Sequence, residues 1–331
     1  MTNASLTNLI SGSLLRRGFL LVSLALVLLP FFLVQRADCA TRNAASPQYS
    51  DVNFAVNGGG PDSSGVTFNG AAADGDTVVI PVGIASWTSA LIITHGITLQ
   101  GQTVITGDHT TTPNMTAADY TVIQDDSPRG GNKALISDIA LTLTQSVRIT
   151  GLTLRYGLSV TSYNSNGILR LFGTCPSFRV DHCHFDQLYG YNFASDGWLY
   201  GVIDHCIFDL SPGSGAMIVW HSRWGNQPNG WGSWADPAYF GSEKFVFIED
   251  NTVNSLGTKP GIACPYGWAG GRFVLRYNVI KNGSTFGHGT ETTQNTLTRG
   301  VRAAEIYGNT YSATITMPMS RCRGGALPDA N

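Results

Sequence analysis

Three acidic residues recur at matched places in a chain that is otherwise poor in charge. Asp181, Asp204 and Glu249 each follow an aliphatic residue, in Val180-Asp181, Ile203-Asp204 and Ile248-Glu249, and Arg276 follows Leu275 in the same way. Only 13% of residues are charged, about half the usual share, so this recurrence is a signal. If the aliphatic residues point inward, strand alternation turns their neighbours outward. Stacked copies then put the carboxylates roughly 4.8 Å apart, and like charges that close need a compensating charge. Ca2+ is a hard cation that takes several carboxylate oxygens, which makes Asp181, Asp204 and Glu249 candidate metal ligands. Arg276, Arg179 and solvent are the alternative source of compensation. His182 and His205, which follow the two aspartates, are expected to be hydrogen-bonding structural residues.

Two further groups carry chemistry. A long interval after Leu210 holds Trp220-His221-Ser222-Arg223-Trp224, then Trp231, Trp234, Tyr239 and Phe240. Aromatic platforms in a loop stack on sugar rings while polar neighbours bind hydroxyls, or else cover the flank of the fold; long irregular loops are often functional. Trp220, His221, Arg223, Trp224, Trp231 and Trp234 are therefore candidate substrate-binding residues, as are Arg299 and Arg302 downstream. Removing a proton beside a carboxylate needs a base and cations that stabilise the resulting enolate. Arg272, Arg276, His288 and Glu291 are the candidates for that work. Arg272 lies three residues before the inward Leu275 and is expected on the outer face of its strand. His288 and Glu291 equally suit acid–base catalysis in a hydrolase, together with Asp181 or Asp204.

The elements that must position these residues repeat. Six strips align: Ile149 to Leu154, Val180 to Phe185, Ile203 to Phe208, Ile248 to Val253, Leu275 to Ile280, and Ile306 to Tyr311. Their first and sixth positions are apolar or aromatic, and the fourth runs Leu, Cys, Cys, Asn, Asn, Asn. They return roughly every 23 to 31 residues, once after 45. A strip at Leu99 to Val104 lies 50 residues before Ile149, room for two turns. A strand, a tight bend and a second strand at this period predict one coil of a solenoid, in which each coil must stack on its neighbour to bury its core. The predicted architecture is an all-β, single-stranded, right-handed parallel β-helix over residues 51–331. Its fourth position forms an internal ladder. On that ladder Cys183 and Cys206 are either a disulfide, since stacked Cα atoms fall within range, or small buried thiols. Ser50 to Val56 predicts a short N-terminal capping helix, with Ser50 or Asp51 as its cap. No comparable cap follows Tyr311, so the chain is expected to continue beyond Asn331.

Residues 1–40 carry Arg16-Arg17, an apolar run from Gly18 to Val34, and Cys39-Ala40. That order is expected of a secretory signal, with a twin-arginine-like start; the alternative is a retained membrane anchor. Residues 41–50 are expected to be a linker. The protein is accordingly expected to be secreted, periplasmic or on the cell surface, monomeric, and off the membrane once the signal is removed. A formal charge of −2 and a pI near 6.4 argue against a nucleic-acid partner. Five cysteines lie beyond the signal (Cys175, Cys183, Cys206, Cys264 and Cys322), an odd number with no C-x-x-C pair.

Gly75-Asp76-Thr77-Val78-Val79-Ile80-Pro81, Trp87-Thr88-Ser89 and Ile97-Thr98-Leu99-Gln100-Gly101 resemble the opening coils of bacterial pectin-lyase-like (pectate-lyase-like) β-helix proteins. Asp204 to Phe208, Phe247 to Asn251 and Gly270 to Asn278 look like their middle coils. Val202-Ile203-Asp204-His205 is similar to the W-I-D-H strip of pectate lyases, with Val202 in place of Trp. The R-x-P-x-x-R motif that supplies their arginine base is missing. The resemblance therefore implies the fold across roughly Asp51 to Tyr311, and a polysaccharide partner. It further implies β-elimination on a uronic-acid-containing polymer, with calcium bridging protein carboxylates to the sugar acid. A glycoside hydrolase and a non-catalytic carbohydrate-binding or adhesive surface protein are the alternatives on the same scaffold.

Overall fold

The computed structural model describes residues 39–108, 115–127, 134–142, 144–158, 167–220, 237–256, 265–268, 271–282 and 301–312. Residues 1–38 of the expected signal (1–40), Cys264, Cys322 and the tail beyond residue 312 lie outside these. No helix among the described residues is long and apolar enough to cross a membrane.

The chain is an all-β parallel β-helix. One face stacks Thr41–Asn43, Thr77–Val79, Thr98–Gln100, Ser146–Thr150, Leu169–Asp181, Tyr191–Asp204, Val246–Glu249, Arg272–Arg276 and Ala303–Tyr307, in that order and all parallel. A second face stacks Gly83–Trp87, Thr121–Asp125, Thr153–Tyr156, His184–Asp186, Ile207–Leu210, Thr252–Ser255, Val279–Lys281 and Thr310–Ser312. The long strands Leu169–Asp181 and Tyr191–Asp204 turn a corner at a register shift between Cys175 and Phe178. Their first halves join Leu91–Ile92, Ile136–Leu141, Gly215–Trp220 and Tyr266–Trp268 to form a third side.

The aligned strips are in register as the repeat requires. Ile149, Val180, Ile203, Ile248, Leu275 and Ile306 pair in one column. Leu154, Phe185, Phe208, Val253, Ile280 and Tyr311 pair in another on the second face. Ser146-Val147-Arg148-Ile149 shows why such segments become strands: buried and exposed residues alternate, so one edge feeds the core. The rings of Phe185 and Phe208 stack 4.6 Å apart, worth about 1 kcal/mol beyond the area they bury.

Between the two columns the third position makes the bend. Gly151, His182, His205, Asp250, Tyr277 and Gly308 all have positive φ, between 51° and 66°. The fourth position then turns inward and satisfies the bend's carbonyls. Asn251 Nδ2 donates to Ile203 O and Glu249 O, Asn278 Nδ2 to Ile248 O and Arg276 O, and Asn309 Nδ2 to Leu275 O and Tyr307 O. Each asparagine also donates to, or accepts from, the next: Asn251 Nδ2 to Asn278 Oδ1 at 3.0 Å, and Asn278 Nδ2 to Asn309 Oδ1 at 2.9 Å. Cys206 Sγ meets the same two kinds of carbonyl, Val180 O and Asp204 O, and Cys183 Sγ meets Ile149 O and Asp181 O. Both are free, buried thiols rather than a disulfide.

Four expectations are corrected. Residues 41–50 are not a linker. Thr41–Asn43 pairs with Thr77–Val79 and so forms the first rung, and Ala40 N–H donates to the Asp76 carboxylate. The helix spans Tyr49–Asn57 and buries Val52, Ala55 and Val56, but its N-cap is Gln48, with no side-chain hydrogen bond. Asp51 instead is buried and accepts from Ser46 Oγ, Ser63 N–H and Ser63 Oγ. The 50 residues from Leu99 to Ile149 make one coil, not two, because the two residues pair directly. The extra length leaves as a hairpin, Val104–Thr106 with Thr116–Ala118, whose Ile105 and Met115 pack on Ile207 of the second face. The fourth correction concerns Arg272.

Candidate functional site

The outward neighbours of the first column form the predicted file: Thr150, Asp181, Asp204, Glu249, Arg276 and Tyr307 pair rung to rung. Guanidinium groups hold its carboxylates. Arg148, on the rung before Asp181, grips it through Nε and Nη2 at 2.7 and 2.6 Å. Arg179 grips Asp204 in the same way at 2.9 and 2.6 Å, and Arg276 reaches back to Glu249. Arg148 stands two positions before Thr150 and Arg179 two before Asp181, and each grips the carboxylate of the following rung, so the pairing runs diagonally between rungs. Paired forks of this kind are the strong form of the interaction.

Each aspartate also holds a histidine. His182 Nδ1 lies 2.8 Å from Asp181 Oδ2, and His205 Nδ1 lies 2.8 Å from Asp204 Oδ2. With Nδ1 committed to a carboxylate, Nε2 is the nitrogen left for a ligand. The positive φ of the bend lifts both side chains out of the barrel, where they are 41% and 33% exposed. The two rings stack 5.1 Å apart at 5°. Two copies of an Arg–Asp–His unit thus occupy consecutive rungs.

Asp181 is fully buried and also accepts from Thr150 Oγ1. Burial alone would raise its pKa, but hydrogen bonds from Arg148, His182 and Thr150 outweigh burial and hold the carboxyl far below the usual range. Asp181 is therefore a permanent anion that orients and balances its partners. The bond to Asp181 raises the pKa of Arg148, and the bond to Asp204 raises that of Arg179, so both stay charged.

A cleft of about 360 Å³ opens beside the first unit. Arg148, Thr150, Gly151 and His182 form one side, and Gln100 to Ile105 the other. Gly151 is required here twice: its φ is +65°, and a Cβ would come 2.7 Å from Gly101 O.

Arg272, expected on the outer face and within reach of a substrate, is wholly buried. It does project from the outer face, but the segment after Pro237 lies over it. Arg272 donates to Pro237 O and Ala238 O and packs on the rings of Trp198 and Tyr239. Its work is to fasten that segment, whose Tyr239 and Ala238 join Phe245, Val274 and Ala303 in a small outer apolar cluster. Arg276 sits between Glu249 and the Tyr307 hydroxyl, over the rings of Phe247 and Tyr277. Arg302 donates its backbone N–H to Gly271 O, next to the Arg272 rung. Trp220 ends the strand Gly215–Trp220, in register with Asp196 and Trp268. His221, Arg223, Trp224, Trp231, Trp234, His288, Glu291 and Arg299 lie outside the described residues. His182, His205 and Arg148 were not singled out as site residues by sequence; the signal was the Arg-x-Asp-His run at Arg179 to His182.

Among the described residues, His184, Asp186 and Asp209 on the second face also bring ligand atoms within 4.8 Å of one another, but the His184 ring is already shared between the carboxylates of Asp119 and Asp209. The predicted set Asp181, Asp204 and Glu249 is instead the set that arginines neutralise.

Fold and site together define a parallel β-helix protein with a doubled Arg–Asp–His unit on its outer face. Comparison with protein families, with curated proteins and with solved structures finds no match for the chain.

Proposed function

We propose that the protein binds an acidic polysaccharide along the outer face and cleaves it by β-elimination at the cleft beside His182. The observation that carries this reading is the repeated unit of a buried anionic aspartate, a bidentate arginine and an outward histidine. Such a lyase needs a cation facing the sugar carboxylate, a base at the adjacent C–H and a proton donor for the leaving oxygen. Arg148 and Arg179 are about half exposed and supply the cations. His182, lining the cleft, takes the proton from the carbon bearing the carboxylate. That electron pair becomes the ring double bond as the glycosidic C–O bond breaks. The leaving oxygen takes a proton from the imidazolium of His205, one rung away.

Two observations favour this chemistry over hydrolysis and over a metal at the same place. Hydrolysis needs a carboxylic acid that gives up a proton, and Asp181 is locked as a carboxylate. The planes of the two His rings are parallel and stacked, so their nitrogens address two atoms of one ligand rather than converge on one ion.

The test is incubation of residues 39–331 with polygalacturonate, alginate and neutral polymers, with and without Ca2+, followed at the ultraviolet absorbance of the unsaturated product. Absorbance with an acidic polymer supports the reading, and its loss in His182→Gln places the base. New reducing ends without unsaturation select a hydrolase, and binding without turnover selects a carbohydrate-binding solenoid; either result overturns the lyase.

A further inference from the structure

One wall of the cleft is the segment that leads into the outer hairpin, and a buried histidine fastens that hairpin. His184 begins the strand His184–Asp186 and is 8% exposed. Its Nδ1 lies 2.8 Å from Asp119 Oδ1, and its Nε2 lies 3.2 Å from Asp209 Oδ2. Asp119 directly follows the hairpin strand Thr116–Ala118, while Asp209 belongs to the second face. The histidine therefore bridges the hairpin to the body of the solenoid.

The chemistry of the bridge fixes the protonation it needs. A carboxylate only accepts hydrogen bonds, and a neutral imidazole has a single N–H. Both contacts are hydrogen bonds only when the ring carries two protons; in the neutral ring one lone pair would face a carboxylate. The surrounding charges agree. Asp119, Asp186 and Asp209 face the ring or its neighbours, against Arg155, which bonds Asp119 and Asp186, and Lys281, which acts on Asp209. Three anions and two permanent cations close to neutrality when His184 is charged. The remaining neighbours are neutral: Thr153 donates to Asp119 and Asn254 to Asp209. Burial works against the charge, but the bonds to Asp209 and Asp119 outweigh it and raise the histidine's pKa above its ordinary value.

We infer that His184 is a proton-dependent latch that pins the 104–118 hairpin, and with it the Gln102–Ile105 wall of the cleft, to the second face. The latch rests on the proposed function only for what the cleft binds; its own test needs no substrate. Because the folded pKa is raised, the stabilisation is complete below the unfolded value and is lost as pH rises through the folded one. Release is local, since Ile105 and Met115 stay packed on Ile207. A divalent cation at His184, Asp186 and Asp209 is the competing use of the same atoms, and it would displace the Nε2 proton.

Amide hydrogen exchange over residues 103–119, corrected for intrinsic rate, tests the latch between about pH 6 and about pH 9. Protection in the unaltered protein should fall roughly tenfold across that range, the loss of one charge-assisted hydrogen bond. In His184→Gln it should be low throughout and independent of pH. The same pH dependence in His184→Gln overturns the latch. Should that variant not fold, ring 15N shifts of the unaltered protein decide instead. A doubly protonated ring persisting above neutral pH supports the proposal, and a neutral ring at about pH 6 overturns it. Zn2+ binding that stabilises the fold at neutral pH and is abolished by Asp209→Asn also overturns it, in favour of a metal site.

Discussion

His182 and His205 stack face to face, 5.1 Å apart and within 5° of parallel, each with Nδ1 on the aspartate that precedes it. The pair projects from the bend, 41% and 33% exposed, and its substitution separates chemistry from folding. His182→Gln and His205→Gln are each expected to lower turnover of an acidic polymer by about 10²-fold or more. Circular dichroism and thermal midpoint should stay close to those of the unaltered protein. Turnover that survives both substitutions would remove the histidines from the reaction.

Arg148 should govern resistance to acid. Asp181 has a folded pKa far below its unfolded value near 3.8, so its contribution is present above that value and lost only as pH falls towards the depressed one. Arg148→Met leaves a buried carboxylate short of its main partner. It is expected to cost about 3 kcal/mol at neutral pH and to move the acid-unfolding midpoint upward, read by near-ultraviolet circular dichroism. An unchanged midpoint would mean that Thr150, His182 and Arg179 suffice to hold Asp181.

The ladder makes a sharper claim about stability. Asn278→Ala strips partners from Ile248 O, Arg276 O, Asn251 N–H and Asn309 Oδ1 and should cost roughly 3 kcal/mol in denaturant unfolding. Cys206→Asn places an amide where the thiol already meets Val180 O and Asp204 O, and should change stability by no more than about 1 kcal/mol. A loss in Cys206→Asn as large as in Asn278→Ala would show that the two residue types are not equivalent there.

The thiols should be silent in the folded state. Burial raises Cys175 and pushes Cys206 well above the ordinary thiol range, whereas Cys39 is exposed. A thiol reagent at neutral pH should label Cys39 within minutes and reach Cys175, Cys183 and Cys206 only on unfolding, as peptide mass mapping would show. Labelling of Cys206 at the rate of Cys39 would contradict the packing of the ladder.

Arg272→Met should loosen residues 237–245 without disturbing the rungs, because its guanidinium is what joins Pro237 and Ala238 to Trp198. Faster hydrogen exchange confined to that segment is the expected result. Spread of the change into Val246–Glu249 would instead make Arg272 part of the core.

What the sequence disclosed was whatever repeats along the chain. An aliphatic residue recurs at the first strip position, and from Val180 onward an amide or thiol at the fourth, so Val180, Ile203, Ile248 and Leu275 announce the stack and Asn251, Asn278 and Asn309 the ladder. Position two followed by alternation, which is why Asp181, Asp204 and Glu249 were found in one file. Partners that lie across rungs left no such trace. Arg148 meets Asp181 across a sequence separation of 33, and the link is visible only once the coils are laid over one another. Arg272 obeyed alternation and still ended buried, because a segment from another coil covers it. Asp51 stands where a helix cap would, yet the chain spends it on Ser46 and Ser63, a tertiary preference that local propensity does not encode.

The ladder has a consequence for how such a protein changes length over evolutionary time. From Cys183 onward every floor offers the next one carbonyl, borrows the equivalent one from the floor before and adds one of its own, and either an amide or a thiol completes the exchange. A gene duplication that inserts a whole coil, or a deletion that removes one, therefore leaves no donor stranded at the seam. Growth by complete turns is chemically neutral at this position, while an insertion of a few residues inside the bend is not.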